Sequence, residues 1–513
     1  MSADPATSRT EAKLARFTFH PLPAYQKVPK SYKLLPFRAM RFDEGSYVLV
    51  NECGEYTFLD PTTFRAFAKH ELEPHVPAYA DLKAKQFLMD ETSSPLLDIL
   101  ATKYRTKKSF LRGFTKLHMF VTTLRCDHSC LYCQVSRQSE DRAAFDMTPE
   151  TARKAADLML RSPASRITME FQGGESLLNV PLIQFIVEYV EGRNRDLGKR
   201  IDKVIATNLS RVTQEILEYC RDHQIDLSTS LDGPEWLHNA NRPKPGNDSH
   251  AIVVRNMEWA RSVLGKEHVA ALMTTTKLSL QHPREIIDEY VVRGCQSIFL
   301  RSISPYGFAV KTRRSTGYLT EEFLRFYREG LAYILELNRR GVEMVEIYAK
   351  IILTKILTPF PTSFMDLQSP AAAGIGAVVY NYDGDVYATD EARMLAEMQD
   401  KSFRLGNVHT DSYQELFGGP VVRGLAAASV NESLPGCSDC PYQGYCGADP
   451  IFHHATQGDV IGHRPTSDFC HKNMAIINEL FRYIRAGDPE IMRIFWCWIY
   501  DRSIAEADQC PVR

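Results

Sequence analysis

The stretch Cys126-Asp127-His128-Ser129-Cys130-Leu131-Tyr132-Cys133 follows directly on Leu117-His118-Met119-Phe120-Val121-Thr122-Thr123, and its reading decides the fold. The earlier run is apolar and β-branched, the pattern of a buried strand. The later one carries three thiols on one short loop. Such a loop can hold three corners of a cubane [4Fe-4S] cluster, in which each iron takes one cysteine and the fourth iron stays open to a ligand. A structural zinc ion is the competing reading; it needs a fourth Cys or His, and His128 lies within the loop.

Outward from this loop the chain alternates between two periods. Strands are predicted at residues 117–123, 166–171, 203–207, 225–230, 268–274 and 297–301, with helices at 149–161, 180–193 and 214–223 between them. Repeated strand-helix units imply a parallel sheet. Six of them fit a partial (β/α)6 barrel better than a closed eight-stranded one, with an open doubly wound sheet as the alternative. In both, the site lies beyond the C-terminal ends of the strands. Long helices are expected at 320–340 and 344–357, and an apolar helix at 472–485.

Upstream, Tyr47-Val48-Leu49-Val50-Asn51 and Glu55-Tyr56-Thr57-Phe58-Leu59 flank Glu52-Cys53-Gly54, which predicts a hairpin turning at Gly54. Asp60-Pro61 then supplies an N-cap and a first helical position. The segment reads as a small α+β module. The division expected is a flexible tail at 1–28, this module at 29–110, the barrel at 111–310, a helical bridge at 311–370 and a cysteine-rich domain with a C-terminal helix at 371–513.

The whole chain, 513 residues with 61 basic and 63 acidic side chains, has a net charge of -2. That mixture leaves no electrostatic footprint for a nucleic acid or an anionic membrane. No apolar run approaches the roughly 20 residues of a membrane span. Residues 1–17 lack the apolar core of a secretory signal, so the cytoplasm is the expected compartment. There the 12 cysteines are read as metal ligands or catalytic thiols rather than disulfides. Cys53, Cys220, Cys295, Cys497 and Cys510 stand singly and read as small buried hydrophobes. Cys437, Cys440, Cys446 and Cys470 form a second set.

The Cys-x3-Cys-x2-Cys loop, with Tyr132 before its last cysteine, resembles the signature of the radical S-adenosylmethionine (SAM) superfamily. The resemblance implies that Cys126, Cys130 and Cys133 hold a [4Fe-4S] cluster. Its open iron would bind SAM, and an external one-electron reductant would drive formation of a 5′-deoxyadenosyl radical that abstracts a substrate hydrogen. Phe171-Gln172-Gly173-Gly174-Glu175 is similar to the family's contact for the SAM amino group. Ser228-Thr229-Ser230-Leu231-Asp232-Gly233-Pro234 with Arg242 resembles a stretch that reaches the SAM carboxylate or ribose, and Asn208 is a further contact. Tyr132, Gly173, Gly174, Glu175, Asn208, Ser228, Ser230 and Arg242 are thus the expected cofactor-binding residues.

The second cysteine set resembles the C-terminal SPASM domain, which binds auxiliary Fe–S clusters. Here the cysteines expected near Ala373, at Thr389 and at Pro450 are replaced. The resemblance therefore implies one auxiliary [4Fe-4S] cluster held by Cys437, Cys440, Cys446 and Cys470, with structural zinc as the alternative. Asp390 stands where related enzymes carry an acidic residue proposed as a base.

The N-terminal hairpin and helix resemble the PqqD-like element that binds a leader peptide at a sheet edge. The mix looks closest to the maturases of the His-Xaa-Ser peptide system, on Leu35-Pro36-Phe37-Arg38, Leu49-Val50-Asn51, Gly54-Glu55, Phe299-Leu300-Arg301-Ser302-Ile303-Ser304-Pro305 and Thr389-Asp390-Glu391-Ala392-Arg393. It implies a precursor peptide with a leader as substrate, a crosslink or related bond as product, and a second radical SAM maturase as partner. The alternatives are oxidation of a Cys or Ser in the manner of sulfatase maturases, and a non-catalytic metal-containing peptide-binding scaffold. Epimerisation would need a thiol such as Cys295 or Cys53 near the site.

Overall fold

The computed structural model describes residues 31–93 and 95–504. The expected tail at 1–28 and Cys510 lie outside them. The chain divides into two compact units at Thr102/Lys103.

In the first unit, β1 (Tyr32–Leu34) pairs antiparallel with β5 (Leu88–Asp90), and β2 (Phe37–Asp43), β3 (Ser46–Asn51) and β4 (Tyr56–Leu59) form a three-stranded antiparallel sheet. The hairpin has the predicted register, with Tyr47 opposite Leu59 and Val50 opposite Tyr56. Gly54 turns it at φ +77°. The Asp60 carboxylate accepts from the Thr62 and Thr63 amides and starts the helix Pro61–Ala68. Leu49, Phe67, Leu82 and Phe87 are fully buried between the layers. Strand β2 escaped prediction because its polar residues alternate with Phe and Met on a half-buried edge.

The second unit is built on β6 (Leu117–Thr123), β7 (Arg166–Gly173), β8 (Arg200–Thr207), β9 (Ile225–Ser230) and β10 (Val269–Leu272), which pair in parallel and in chain order. An unbroken order with right-handed crossovers puts the connecting helices on one face, as in a barrel. Within β6–β10 the order does not reverse, whereas a later strand of the chain joins the opposite edge of β6. The expected sixth barrel strand does not join this sheet. Its short β11 (Ser297–Ile298) pairs instead with β12 (Val345–Glu346), and a bond from Thr275 N–H to Arg301 O, 2.8 Å, ties the region back to the chain after β10. On the other edge β13 (Ala377–Tyr380) runs parallel to β6, followed antiparallel by β14 (Asp385–Tyr387) and β15 (Arg404–Asn407).

The pleat sorts the side chains. Ile167, Met169 and Phe171 of β7 and Leu227 of β9 are buried under the helices, while Glu170, Gln172, Ser228 and Ser230 face the opposite side. The helices Thr320–Arg339, Ile347–Leu357, Asp468–Ala486 and Pro489–Tyr500 complete the unit. Among the described residues no helix is long and apolar enough to cross a membrane.

Candidate functional site

Beyond the C-terminal ends of β6–β9 lies a cavity of about 370 Å³, and the cysteine loop forms one of its walls. The loop has no regular structure of its own and is pinned from three sides. Leu131 N–H and Ser129 N–H donate to the Asn241 and Pro243 carbonyls at 3.0 and 2.8 Å. Phe308 N–H donates to Cys133 O, and the Thr312 hydroxyl to Leu131 O. Asp127 accepts from Asn208 Nδ2, the Ser210 hydroxyl and Arg211 Nε. Burial raises the Asp127 pKa, but hydrogen bonds from His128, Ser210 and Asn208 outweigh it and hold the carboxyl well below its usual range.

A further support is the Gly173-Gly174-Glu175 turn. Gly174 N–H donates to Thr123 O and Glu175 N–H to Arg125 O. A Cβ on Gly173 would stand 2.0 Å from Thr123 O, and one on Gly174 2.1 Å from Arg125 O. The glycines are needed first for the close approach of the cysteine loop, although both also line the cavity. Glu175 departs from expectation. Its carboxylate accepts from Leu177 N–H, the Thr207 hydroxyl and Asn208 N–H, it has no exposed surface, and it lies behind the cavity wall. In this arrangement it braces the ends of β7 and β8. Burial, against those hydrogen bonds, pushes its pKa to about 7.

Cys126, Cys130 and Cys133 all line the cavity. Burial pushes the Cys126 thiol well up, with Glu175 adding to it, and carries Cys130 to about 12 against the pull of Arg242. Three partly exposed thiols on one loop, neighbours close enough to act on one another, are a donor set that fits a thiolate-ligated cluster; loading it would release their protons. His128 is not free to be a fourth ligand. Its Nδ1 meets Asp127 Oδ1 at 2.9 Å and its Nε2 the Ser249 hydroxyl at 2.9 Å.

Tyr132, Asp232 and Arg242 form a buried triangle beside the loop. The Tyr132 hydroxyl donates to Asp232 at 2.7 Å, Arg242 Nε donates to it at 3.0 Å, and the guanidinium lies 5.3 Å from the Tyr132 ring centre. Arg242 NH1 stands 3.9 Å from Cys130 Sγ. Arg242 Nη2 reaches the other Asp232 oxygen at 3.5 Å, so Asp232 fixes the direction of a guanidinium that lines the cavity. Ser228 and Ser230 face the same space, as does Asn208, whose amide also braces Asp127.

Asp390 opens the helix Asp390–Glu397 and lines the cavity, accepting from Arg393 Nε at 3.1 Å. Sequence reasoning missed Glu170 and Arg301 on the cavity wall. Glu170 had a legible signal, since a charged residue amid alternating apolar ones on a strand must face a cavity or solvent. Cys295 does not line this cavity.

The second cysteine set is assembled differently. Cys437, Cys440 and Cys446 sit in successive turns, with Cys446 N–H donating to Tyr442 O. Tyr442 and Tyr445 are fully buried against Phe481 of the helix Asp468–Ala486, whose first turn carries Cys470. The four sulfurs act on one another, and burial lifts Cys446 to about 12. Arg464 Nε lies 3.1 Å from Cys437 Sγ, and Lys355 acts on Cys446. This donor set also fits a thiolate cluster, with cations to balance it. Among the described residues no group of three or more His, Cys, Asp or Glu is arranged to hold a single metal ion. Where further cluster cysteines were expected, Ala373 packs with Ala388, Ala392 and Ile451, and Thr389 caps a helix. Pro450 begins another helix.

Residues 120–290 match the model of the radical SAM superfamily, so the chain carries a radical SAM domain. An uncharacterized protein of Methanocaldococcus jannaschii, MJ0907, is 29% identical over 196 residues, which cover 38% of this chain and 64% of that protein. The antilisterial bacteriocin subtilosin biosynthesis protein AlbA of Bacillus subtilis is 22% identical over 336 residues, 64% of this chain and 65% of AlbA. The chain thus spans just under two thirds of the length of these two relatives. Among solved structures, anSMEcpe with bound AdoMet superposes with a TM-score of 0.59 at 17% identity, covering 73% of this chain and 100% of that one. Streptococcus suis SuiB bound to precursor peptide SuiA gives 0.50 at 12% identity, covering 85% and 99%. These two likenesses are of fold.

Proposed function

We propose that the protein is a radical SAM maturase that modifies a ribosomally made precursor peptide, most like the maturases of the His-Xaa-Ser system. The observation that carries this reading is the loop of three neighbouring thiols that all line one cavity. A cluster with SAM would supply a carbon radical able to abstract an unactivated hydrogen, chemistry no side chain provides. Cys126, Cys130 and Cys133 would hold the cluster, and the Gly173-Gly174 backbone, Asn208, Ser228, Ser230 and Arg242 would orient SAM. The Arg242 fork, aimed by Asp232, suits a carboxylate. The buried wall would exclude water. Asp390 would take a proton as the substrate is oxidised.

The second set, Cys437, Cys440, Cys446 and Cys470, would hold one auxiliary [4Fe-4S] cluster in a SPASM-like domain. The N-terminal sheet and helix would act as the PqqD-like module that docks the leader by adding a strand. The AlbA and SuiB names, one a bacteriocin biosynthesis protein and the other bound to a precursor peptide, support a peptide substrate. The likeness to a cysteine-type anaerobic sulfatase-maturating enzyme of Clostridium perfringens, 21% identical over 310 residues, favours, as a second reading, oxidation of a single side chain.

The test is anaerobic reconstitution with iron and sulfide, followed by SAM and dithionite. About eight irons per chain and release of 5′-deoxyadenosine support the reading. An intact fold with little iron and no 5′-deoxyadenosine overturns it and leaves a peptide-binding scaffold. With candidate peptides, loss of two hydrogens within a chain indicates a crosslink, and conversion of a Cys or Ser to an aldehyde indicates the second reading.

A further inference from the structure

Behind the cysteine-loop cavity lies a second one of about 370 Å³. The two share a wall that includes Glu170, Arg301, Met365 and Glu391. Asp366 and Asp449 face the second cavity, and Asp390 the first. These carboxylates come from β7, the turn at Met365–Leu367, the helix Asp390–Glu397 and the cap of the helix Pro450–Gln457. Tertiary structure alone brings them together.

Their charges are unevenly balanced. Arg393 pairs with Asp390, and Lys472 and Arg301 act on Asp366. Glu391 has no such partner among its main influences. After burial itself, the groups that act on it most are Asp366, Asp390 and Asp449, and together they push it to about 8. Asp449, buried and next to Asp366, is pushed to about 7.

A second observation points to a ligand. The Tyr306 ring is only 1% exposed, yet its hydroxyl has no hydrogen-bond partner. It lines the second cavity, and the groups that act on it are Asp449, Glu391, Asp366 and Asp390. A buried hydroxyl left without a partner costs about 1–3 kcal/mol. Lys472 and Arg301 also line this cavity and act on Asp366, and Lys472 acts on Asp449, but the carboxylates outnumber them and Glu391 keeps no cation among its main influences.

We propose that Asp366, Asp390, Glu391 and Asp449, with the Tyr306 hydroxyl, form a subsite for a lysine or arginine side chain of the peptide substrate. The aromatic walls Phe299, Phe364 and Phe452 would flank its methylene stem. The shared wall would then hold the neighbouring peptide residue beside the cysteine loop. An apolar side chain would leave Glu391 and the Tyr306 hydroxyl without a partner, and an acidic one would be repelled. This inference rests on the peptide-maturase reading and adds a specificity to it.

The test measures binding of acetyl-Gly-Lys-Gly-amide and its norleucine counterpart to the full-length reconstituted protein by calorimetry, without reductant. We expect the lysine peptide to bind at least about tenfold tighter, the scale of hydrogen bonds to a charged group. Glu391→Gln should erase most of that preference, and Tyr306→Phe should reduce it by about threefold. Equal affinity of the two peptides for the wild-type protein overturns the inference, with no variant needed. So does a preference that survives Glu391→Gln in a folded protein. Release of 5′-deoxyadenosine is read separately. If SAM is cleaved but lysine is not preferred, the subsite is wrong and the maturase reading stands. If lysine is preferred but SAM is not cleaved, the maturase reading fails.

Discussion

The two cysteine sets differ in what surrounds them. Cys126, Cys130 and Cys133 occupy one irregular loop at the ends of parallel strands, open to a cavity, with Asp127, Glu175 and Asp232 nearby and Arg242 as the close cation. Cys437, Cys440, Cys446 and Cys470 come from a run of turns and a helix, none faces that cavity, and their neighbours include Arg464 and Lys355. Three ligands and a cavity suit a centre that must bind something else. Four ligands with packed tyrosines suit a closed centre that only exchanges electrons or holds the fold together.

Substitutions should separate the two most sharply at the first loop. Cys130→Ala is expected to halve the iron content and lower 5′-deoxyadenosine release by more than about 1,000-fold, some 4 kcal/mol of barrier. Equal release by the variant would break the distinction. Cys446→Ala should also halve the iron, but 5′-deoxyadenosine release should stay within about tenfold while peptide modification is lost. Iron analysis with both product assays reads this directly.

Arg242 gives a smaller effect, on the first site alone. Arg242→Leu leaves Asp232, which has no exposed surface, with only neutral donors, the Tyr132 hydroxyl and the Thr274 amide among them. Removing one partner of such a pair costs about 4 kcal/mol. A fall in melting temperature, partly restored in Arg242→Lys, is the expected result. Affinity for SAM should weaken in both variants.

A carboxylate belonging to neither cysteine set sets the scale for pH effects. Burial pushes Glu346 from 4.5 to about 7, against hydrogen bonds from Tyr327, Ala349 and Leu300. Below pH 4.5 it is protonated in both folded and unfolded chains. Between 4.5 and 7 the unfolded chain loses the proton first, so stability falls as pH rises, by on the order of 3 kcal/mol, and is flat above. In urea denaturation, Glu346→Gln should lack this part of the slope.

Much of the fold was legible because local patterns carried it. The strands 117–123 and 225–230 have the predicted bounds, and the hairpin at Gly54 and the Asp60-Pro61 helix start are as read. The sixth barrel strand was misplaced because a short apolar run declares that it is a strand but not which edge it joins. At the site, the thiols were legible from spacing, whereas Glu175 was not. Its motif does not say that Thr207 and the Asn208 amide already satisfy the carboxylate.

Spacing along the chain by itself determined the three-thiol loop, the four later cysteines, the hairpin and the alternation of strand and helix. Apart from Cys470, which a later helix brings to its set, each depends on residues near one another in the chain. Tertiary structure decided the order of the sheet, the inward turn of Glu175 and the aim of Arg242. It also gathered Glu170, Tyr306, Asp366, Glu391 and Asp449 around one wall. Those residues lie far apart in the chain, and only the closure of long loops around a common core brings their charges within reach of one another.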